Sequence, residues 1–129
     1  MTRLGLLRRR LEGWLGRPLP EPPPLFKLGV GSGDWHEVGR QLAGLLIERG
    51  GLARDDRVLD LGCGLGRVVQ PLRRYLSRRA TYLGIDVSPH YIAWNRDEIE
   101  ARDPRFRFAW LDVKSEAYHS EGGLEPEKA

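Results

Sequence analysis

Apolar positions recur in this chain at two spacings, one helical and one of short continuous runs. Over residues 2 to 15, Leu4, Leu7, Leu11 and Trp14 or Leu15 fall on one face with arginines around them, which predicts a short basic amphipathic helix. Gly5 and Gly13 weaken it, so docking on its own domain is the plain role and a membrane-surface or RNA contact the alternative. The prolines from Pro18 to Pro24 fix their own torsions and bias their neighbours away from helix, predicting a stiff extended run there within a Pro-rich connector over 18–30. Trp35, Val38, Leu42, Leu45 and Leu46 then return at helical spacing until Gly50 and Gly51, predicting a helix over about 34–49.

Three runs of strand formers follow, at 57–61, 81–86 and 106–112, separated by two helical patterns. Val68, Val69, Leu72, Tyr75 and Leu76 mark the first, with Pro71 acceptable only in the opening turn, so this helix starts near Gly66. Ser88 as N-cap with Pro89 at the first helical position opens the second, which runs through Ile92 and Ile99 toward Arg102 before Pro104. Strands joined this way run parallel with right-handed crossovers, giving an α/β sheet of order 3-2-1 with helices on its faces. In a doubly wound sheet ligands sit beyond the carboxyl ends of the strands, which directs attention to the loop after the first one.

Composition narrows the class. A chain of 129 residues with 40% hydrophobic and 30% charged residues is the size of one domain. The longest greasy stretch, Leu42 to Ile47, is far too short for a membrane span. Arg8, Arg9 and Arg10 interrupt the first apolar segment, so no export signal is read there. The net charge of +3 is too mild to imply nucleic acid. Its distribution is uneven, with Arg3, Arg8, Arg9, Arg10 and Arg17 near the start and an acidic tail over 124–129. Cys63 is the single cysteine, which allows no internal disulfide and makes a cytoplasmic setting the expectation. His36, His90 and His119 form no ligand spacing, and no metal is expected.

The chemistry concentrates at the end of the first strand, where Asp60 and Leu61 lead into Gly62, Cys63, Gly64, Leu65 and Gly66. Three glycines in five residues let the backbone take positive φ and lie against a ligand, and amides at the helix start near Arg67 can receive an anionic group. A nucleotide-like ligand follows. A P-loop would need lysine and serine or threonine after the last glycine, but Arg67 and Val68 stand there. A dinucleotide fingerprint would place its third glycine at position 67, where this chain has arginine. Asp86 ends the second strand twenty residues after Gly66, within reach of ribose hydroxyls, or it serves only to cap the next helix. Cys63, between two glycines and without a histidine partner, reads as small filler rather than a nucleophile.

On these residues the chain resembles the class I S-adenosylmethionine-dependent methyltransferases, whose first motif is an acid, any residue, then Gly-x-Gly-x-Gly. Asp60, Gly62, Gly64 and Gly66 match that motif, and the run from Tyr82 to Pro89 resembles the second. The resemblance implies a Rossmann-like fold with S-adenosyl-L-methionine as cofactor and in-line attack of an acceptor on its sulfonium methyl. It further implies that the glycine loop, with Cys63 and Arg67, cradles the methionyl part while Asp60 holds its ammonium directly or through water. Asp86 would take the ribose hydroxyls, Ile85 and Val87 would flank the adenine, and Asp112 would meet the adenine amino group unless it is a simple turn residue. The segment from Gly31 to Trp35 is similar to a region that closes over the cofactor in some members, or is just a helix cap at Asp34.

The likeness runs over 31–123 and stops where family domains continue into a fourth and fifth strand and a terminal hairpin. The expectation is therefore an incomplete, N-terminal half of a methyltransferase domain, from a fragment or truncated reading frame, with an open first-strand edge that invites self-association. No catalytic residue and no acceptor can be named. The rivals are a non-catalytic module that binds cofactor or a partner chain, and a nicotinamide-dependent oxidoreductase, which Arg67 opposes.

Overall fold

In a computed structural model, residues 18–29, 33–116 and 120–124 are described, together with Arg3 and Gly5. The predicted basic helix of 1–17, Gly31, Ser32, His119 and the tail beyond Leu124 otherwise lie outside the described residues. A single helical turn, α1 (Pro24–Lys27), precedes α2 (Trp35–Glu48), β1 (Arg57–Leu61), α3 (Val69–Tyr75), β2 (Thr81–Asp86), α4 (Pro89–Asn95) and β3 (Phe106–Trp110). A π-helical turn, Arg96–Glu100, extends α4.

The helix starts follow local chemistry. Asp34 caps α2 by accepting from the Glu37 amide, and Ser88 caps α4 by accepting from the Tyr91 amide with Pro89 in the first position. Pro71 is the third residue of α3, inside the turn whose amides have no helical acceptor. Pro24 likewise begins α1, so the run expected to be extended over 18–24 turns helical after Pro23, where φ near −60° already suits a helix. The connector is also docked, since the Leu19 amide donates to Gln70 Oε1 at 3.0 Å and the Leu19 side chain packs against the core.

The three strands form one parallel sheet in the order β1-β2-β3, with Asp60 opposite Gly84 and Ile85 opposite Ala109. Alternation puts Val58, Tyr82, Phe106 and Phe108 on one face, where they meet Leu72, Ile92 and Ile99 from the helical layer. The Tyr82 ring packs 5.1 Å from that of Phe106 and 5.8 Å from that of Phe108. Burying a ring such as Phe106 contributes about 2 to 3 kcal/mol. A buried ionic group closes this layer: Asp103 accepts from Arg73 Nε at 3.1 Å and Arg105 Nη2 at 2.7 Å. Arg105 in turn donates to the carbonyls of Arg73, Leu76 and Ser77 at the end of α3.

The opposite face differs from expectation. Leu59 and Leu61 are 59% and 72% exposed, Leu83 and Leu111 are also exposed, and no described helix covers them. The reason is geometric: right-handed crossovers from β1 to β2 and from β2 to β3 step the same way across the sheet, so their helices share a face. A second helical layer needs a step in the other direction. β3 also ends at Trp110, two residues short of the run read from its apolar pattern, because the chain turns where Asp112 Oδ1 accepts from the Gly123 amide. None of the helices among the described residues is long and apolar enough to cross a membrane.

Candidate functional site

The sheet's carboxyl end opens on a cavity of about 590 Å³, within the range that holds a drug-sized ligand. Its floor is the glycine loop. Gly62, Gly64 and Gly66 take φ of 77°, 56° and 70°, the left-handed region that side chains resist. The amides of Gly62 and Cys63 both donate to the Ile85 carbonyl, at 2.7 and 3.0 Å, which ties the loop to the end of β2. The Gly66 amide donates back to the Cys63 carbonyl at 3.1 Å and turns the chain into α3.

Asp86 is the organising carboxylate. Its Oδ2 accepts from the Gly64 amide at 2.8 Å and its Oδ1 from the Ser88 amide at 2.9 Å. One amide on each oxygen fixes the orientation of the group and leaves each oxygen acceptor capacity for a further donor. A carboxylate held this way suits a ligand with two adjacent hydroxyls.

Of the residues singled out from sequence, Gly62, Cys63, Gly64, Arg67, Ile85, Asp86 and Val87 line this cavity. Asp60, Gly66 and Asp112 do not. Asp60 stands one residue behind the wall, its Oδ2 accepting from the Tyr82 hydroxyl at 2.6 Å, and Asp112 holds the Gly123 amide. Gly66 lies under the loop, where a Cβ would come within 2.9 Å of Ile99 Cδ1. Burial, and then the charges of Asp86 and Asp60, push the Cys63 thiol far above its ordinary range, so it stays protonated and is no nucleophile.

The remaining wall comes from Trp35, the last residue of the segment singled out ahead of α2, and from residues that carry no motif. Trp35, at the start of α2, lies with its ring centroid 5.4 Å from the Arg67 guanidinium, a cation-π contact at the cavity mouth. Tyr91 of α4 closes another side, its ring 6.0 Å from Phe26 of α1, and Gly29 passes so close that a Cβ there would meet the Tyr91 hydroxyl at 2.0 Å. Gly29 thus borders the site, and Asp34 caps α2 while its neighbour Trp35 faces the cavity. The fully buried Asn95 was not singled out either, yet it donates to the Gly64 carbonyl at 2.7 Å. A second cavity of about 650 Å³ adjoins through Trp35 and Arg67 and is bordered by Lys27, His36 and Glu21. There Lys27 and His36 both bind Glu21, the hydrogen bond from Lys27 being the main cause that pulls this carboxyl below its usual value.

Residues 58–122 match the family model described as a methyltransferase domain. Among solved structures, the chain is similar to coclaurine N-methyltransferase bound to N-methylheliamine and SAH, at 16% identity and a TM-score of 0.54, over 86% of this chain and 38% of that one. It is also similar to a SAM-dependent methyltransferase from Geobacter sulfurreducens in complex with S-adenosyl-L-homocysteine, at 25% identity and a TM-score of 0.47, over 71% of this chain and 37% of that one. The first of these likenesses carries the fold. The chain spans less than half the length of either structure.

Proposed function

Because this chain belongs to the methyltransferase domain family, we propose that its glycine-loop cavity binds S-adenosyl-L-methionine and serves methyl transfer to an acceptor that is not identified. The observation that carries the reading is Asp86, oriented by two backbone amides at the edge of a loop that has no side chains to obstruct a ligand at Gly62 and Gly64. In this reading Asp86 accepts the two ribose hydroxyls while Ile85 and Val87 flank the base. The loop amides and Cys63, with Arg67 above them, border the methionyl end. Asp60 reaches the ammonium through water from behind the wall, and Gly66 makes the turn that lets the loop enter α3. Least is asked of Asp112, whose carboxylate already serves the Gly123 amide.

When bound, the cofactor supplies an electrophilic methyl group on a sulfonium, so the chain's task is to hold and orient. Trp35, Tyr91 and Leu111 give the cavity its apolar lining, which excludes water from a cation that needs no further activation. No general base is assigned.

Self-association belongs to the same proposal. It is supported by the edge of β1, which no strand among the described residues covers, and the exposure of Leu59 and Leu61 beside it, an arrangement that parallel sheets seldom leave open. A cytoplasmic setting is supported by Cys63, a free and buried thiol.

The test is calorimetric titration of the purified chain with S-adenosyl-L-methionine and, in parallel, NADH, with molar mass followed by light scattering. Micromolar binding that is lost in Asp86→Ala supports the cofactor assignment. A folded, monodisperse chain that binds neither ligand, or binds NADH more tightly, overturns it.

A further inference from the structure

The glycine loop is held from below by a residue that belongs to none of its motifs. Asn95 ends α4, is fully buried, and donates from Nδ2 to the Gly64 carbonyl at 2.7 Å. The same nitrogen lies 3.9 Å from Cys63 Sγ. Gly64 is therefore gripped on both sides, its amide, in the Cys63–Gly64 peptide, by Asp86 and its carbonyl, in the Gly64–Leu65 peptide, by Asn95. Both grips come from one supersecondary unit, since Asp86 precedes α4 and Asn95 closes it.

Packing alone does not account for an amide here. Asn95 Oδ1 is buried with no hydrogen-bond partner among the described residues, an arrangement that an apolar side chain of similar size would avoid. The helix also widens into its π-helical turn directly after Asn95, a local irregularity of the kind found at functional sites. What the amide provides is the contact with the Gly64 carbonyl; without it the φ of 56° and missing side chain of Gly64 would leave the Gly64–Leu65 peptide plane free to rotate. A loop already held in one conformation loses less entropy when a ligand settles on it.

The geometry points to Asn95 as a positioning residue for the cofactor site, one that never touches the ligand but sets the Gly64 peptide against which the methionyl end lies. The inference rests on the cofactor reading for its ligand and on the hydrogen bond alone for its effect on the loop. Two variants test it. Asn95→Leu keeps the buried volume and removes the donor, and Asn95→Ala removes both should leucine fail to pack.

The expected result has two parts. Hydrogen exchange at the Gly64 and Gly66 amides quickens by tenfold or more in the variant, while exchange in β2 and the melting temperature stay close to those of the parent chain. The affinity for S-adenosyl-L-homocysteine falls about tenfold, equal to about 1.4 kcal/mol, while that for adenosine, which lacks the methionyl end, changes less than twofold. Unchanged loop exchange overturns the inference. Equal losses for both ligands overturn it as well, because they would mark a general structural role. If the parent chain binds neither ligand, the cofactor reading fails separately and loop exchange still decides whether Asn95 fixes Gly64.

Discussion

The Tyr82 hydroxyl and the Asp60 carboxylate meet at 2.6 Å between adjacent strands, the phenol fully buried and the acid at the strand end just before the glycine loop. The bond joins β1 to β2 on the helix-covered face, in addition to the backbone ladder. Its donor has no water to turn to. Burial pushes the Tyr82 hydroxyl well above its usual value of 10.0, and the Asp60 charge and hydrogen bond act in the same direction.

Tyr82→Phe is accordingly expected to lose about 1 to 2 kcal/mol of stability at neutral pH, since it leaves the Asp60 oxygen without its donor. The pH dependence has a definite sign. With the folded value above the unfolded one, the contribution is whole below about pH 10 and is lost as pH rises from there through the folded value. Urea denaturation between pH 7 and pH 11 should show a steeper alkaline decline in the parent than in the variant. Parallel declines would remove Tyr82 as the cause.

Asp103 gives the opposite pH signature. Burial pushes its carboxyl up, but the hydrogen bonds and charges of Arg105 and Arg73 outweigh that and hold it below its usual 3.8. Its contribution is present above about pH 4 and is lost as pH falls through the lower folded value. Asp103→Ala, which leaves the buried Arg73 guanidinium without its carboxylate, should cost about 3 to 5 kcal/mol at pH 7. Thermal unfolding against pH checks both statements. A variant as stable as the parent would show that the cluster adds nothing.

Gly62 and Gly66 separate backbone strain from packing. Both have φ near +70°, but a Cβ at Gly62 would meet nothing within 4 Å, whereas one at Gly66 would lie 2.9 Å from Ile99 Cδ1 and 3.1 Å from Val69 Cγ2. Gly62→Ala should cost about 1 to 2 kcal/mol through its backbone alone. Gly66→Ala should cost about 1 to 3 kcal/mol more. Denaturation midpoints for the two variants make the comparison, and equal midpoints would contradict the packing difference.

Cys63 is expected to be slow toward thiol reagents in spite of bordering the cavity. It is only 8% exposed, and its thiol is held protonated by burial and by the charges of Asp86 and Asp60. At pH 8 its reaction with a disulfide reagent should be more than tenfold slower than that of free cysteine, and should reach the free rate in denaturant. A rate equal to free cysteine in the folded chain would show that the loop does not shield it.

The strands at 57–61 and 81–86, the Asp34 and Ser88 caps, the position of Pro71 and the glycine turn were all legible in the chain because each depends on neighbours a few residues away. Parallel order followed from the same local facts, since each intervening helix supplies the long crossover that a parallel pair needs. Much of the cavity's lining was legible for a related reason: a strand end, a turn and a helix start bring Gly62, Gly64 and Asp86 together without help from the rest of the fold. Asn95 and Tyr82 lie thirty-one and twenty-two residues from the partners they hold, and only packing of α4 and β2 against the first strand and its loop brings those groups into contact. The same is true of Tyr91, an ordinary apolar position of an amphipathic helix until the approach of α4 makes it a wall. Which carboxylate faced the cavity was likewise decided in three dimensions: Asp86, at the end of its strand, points into the opening, whereas Asp60, one residue before the end of its own, is turned back toward Tyr82. Spacing along a chain sets which face a residue occupies, but the partners on that face are chosen by the whole fold.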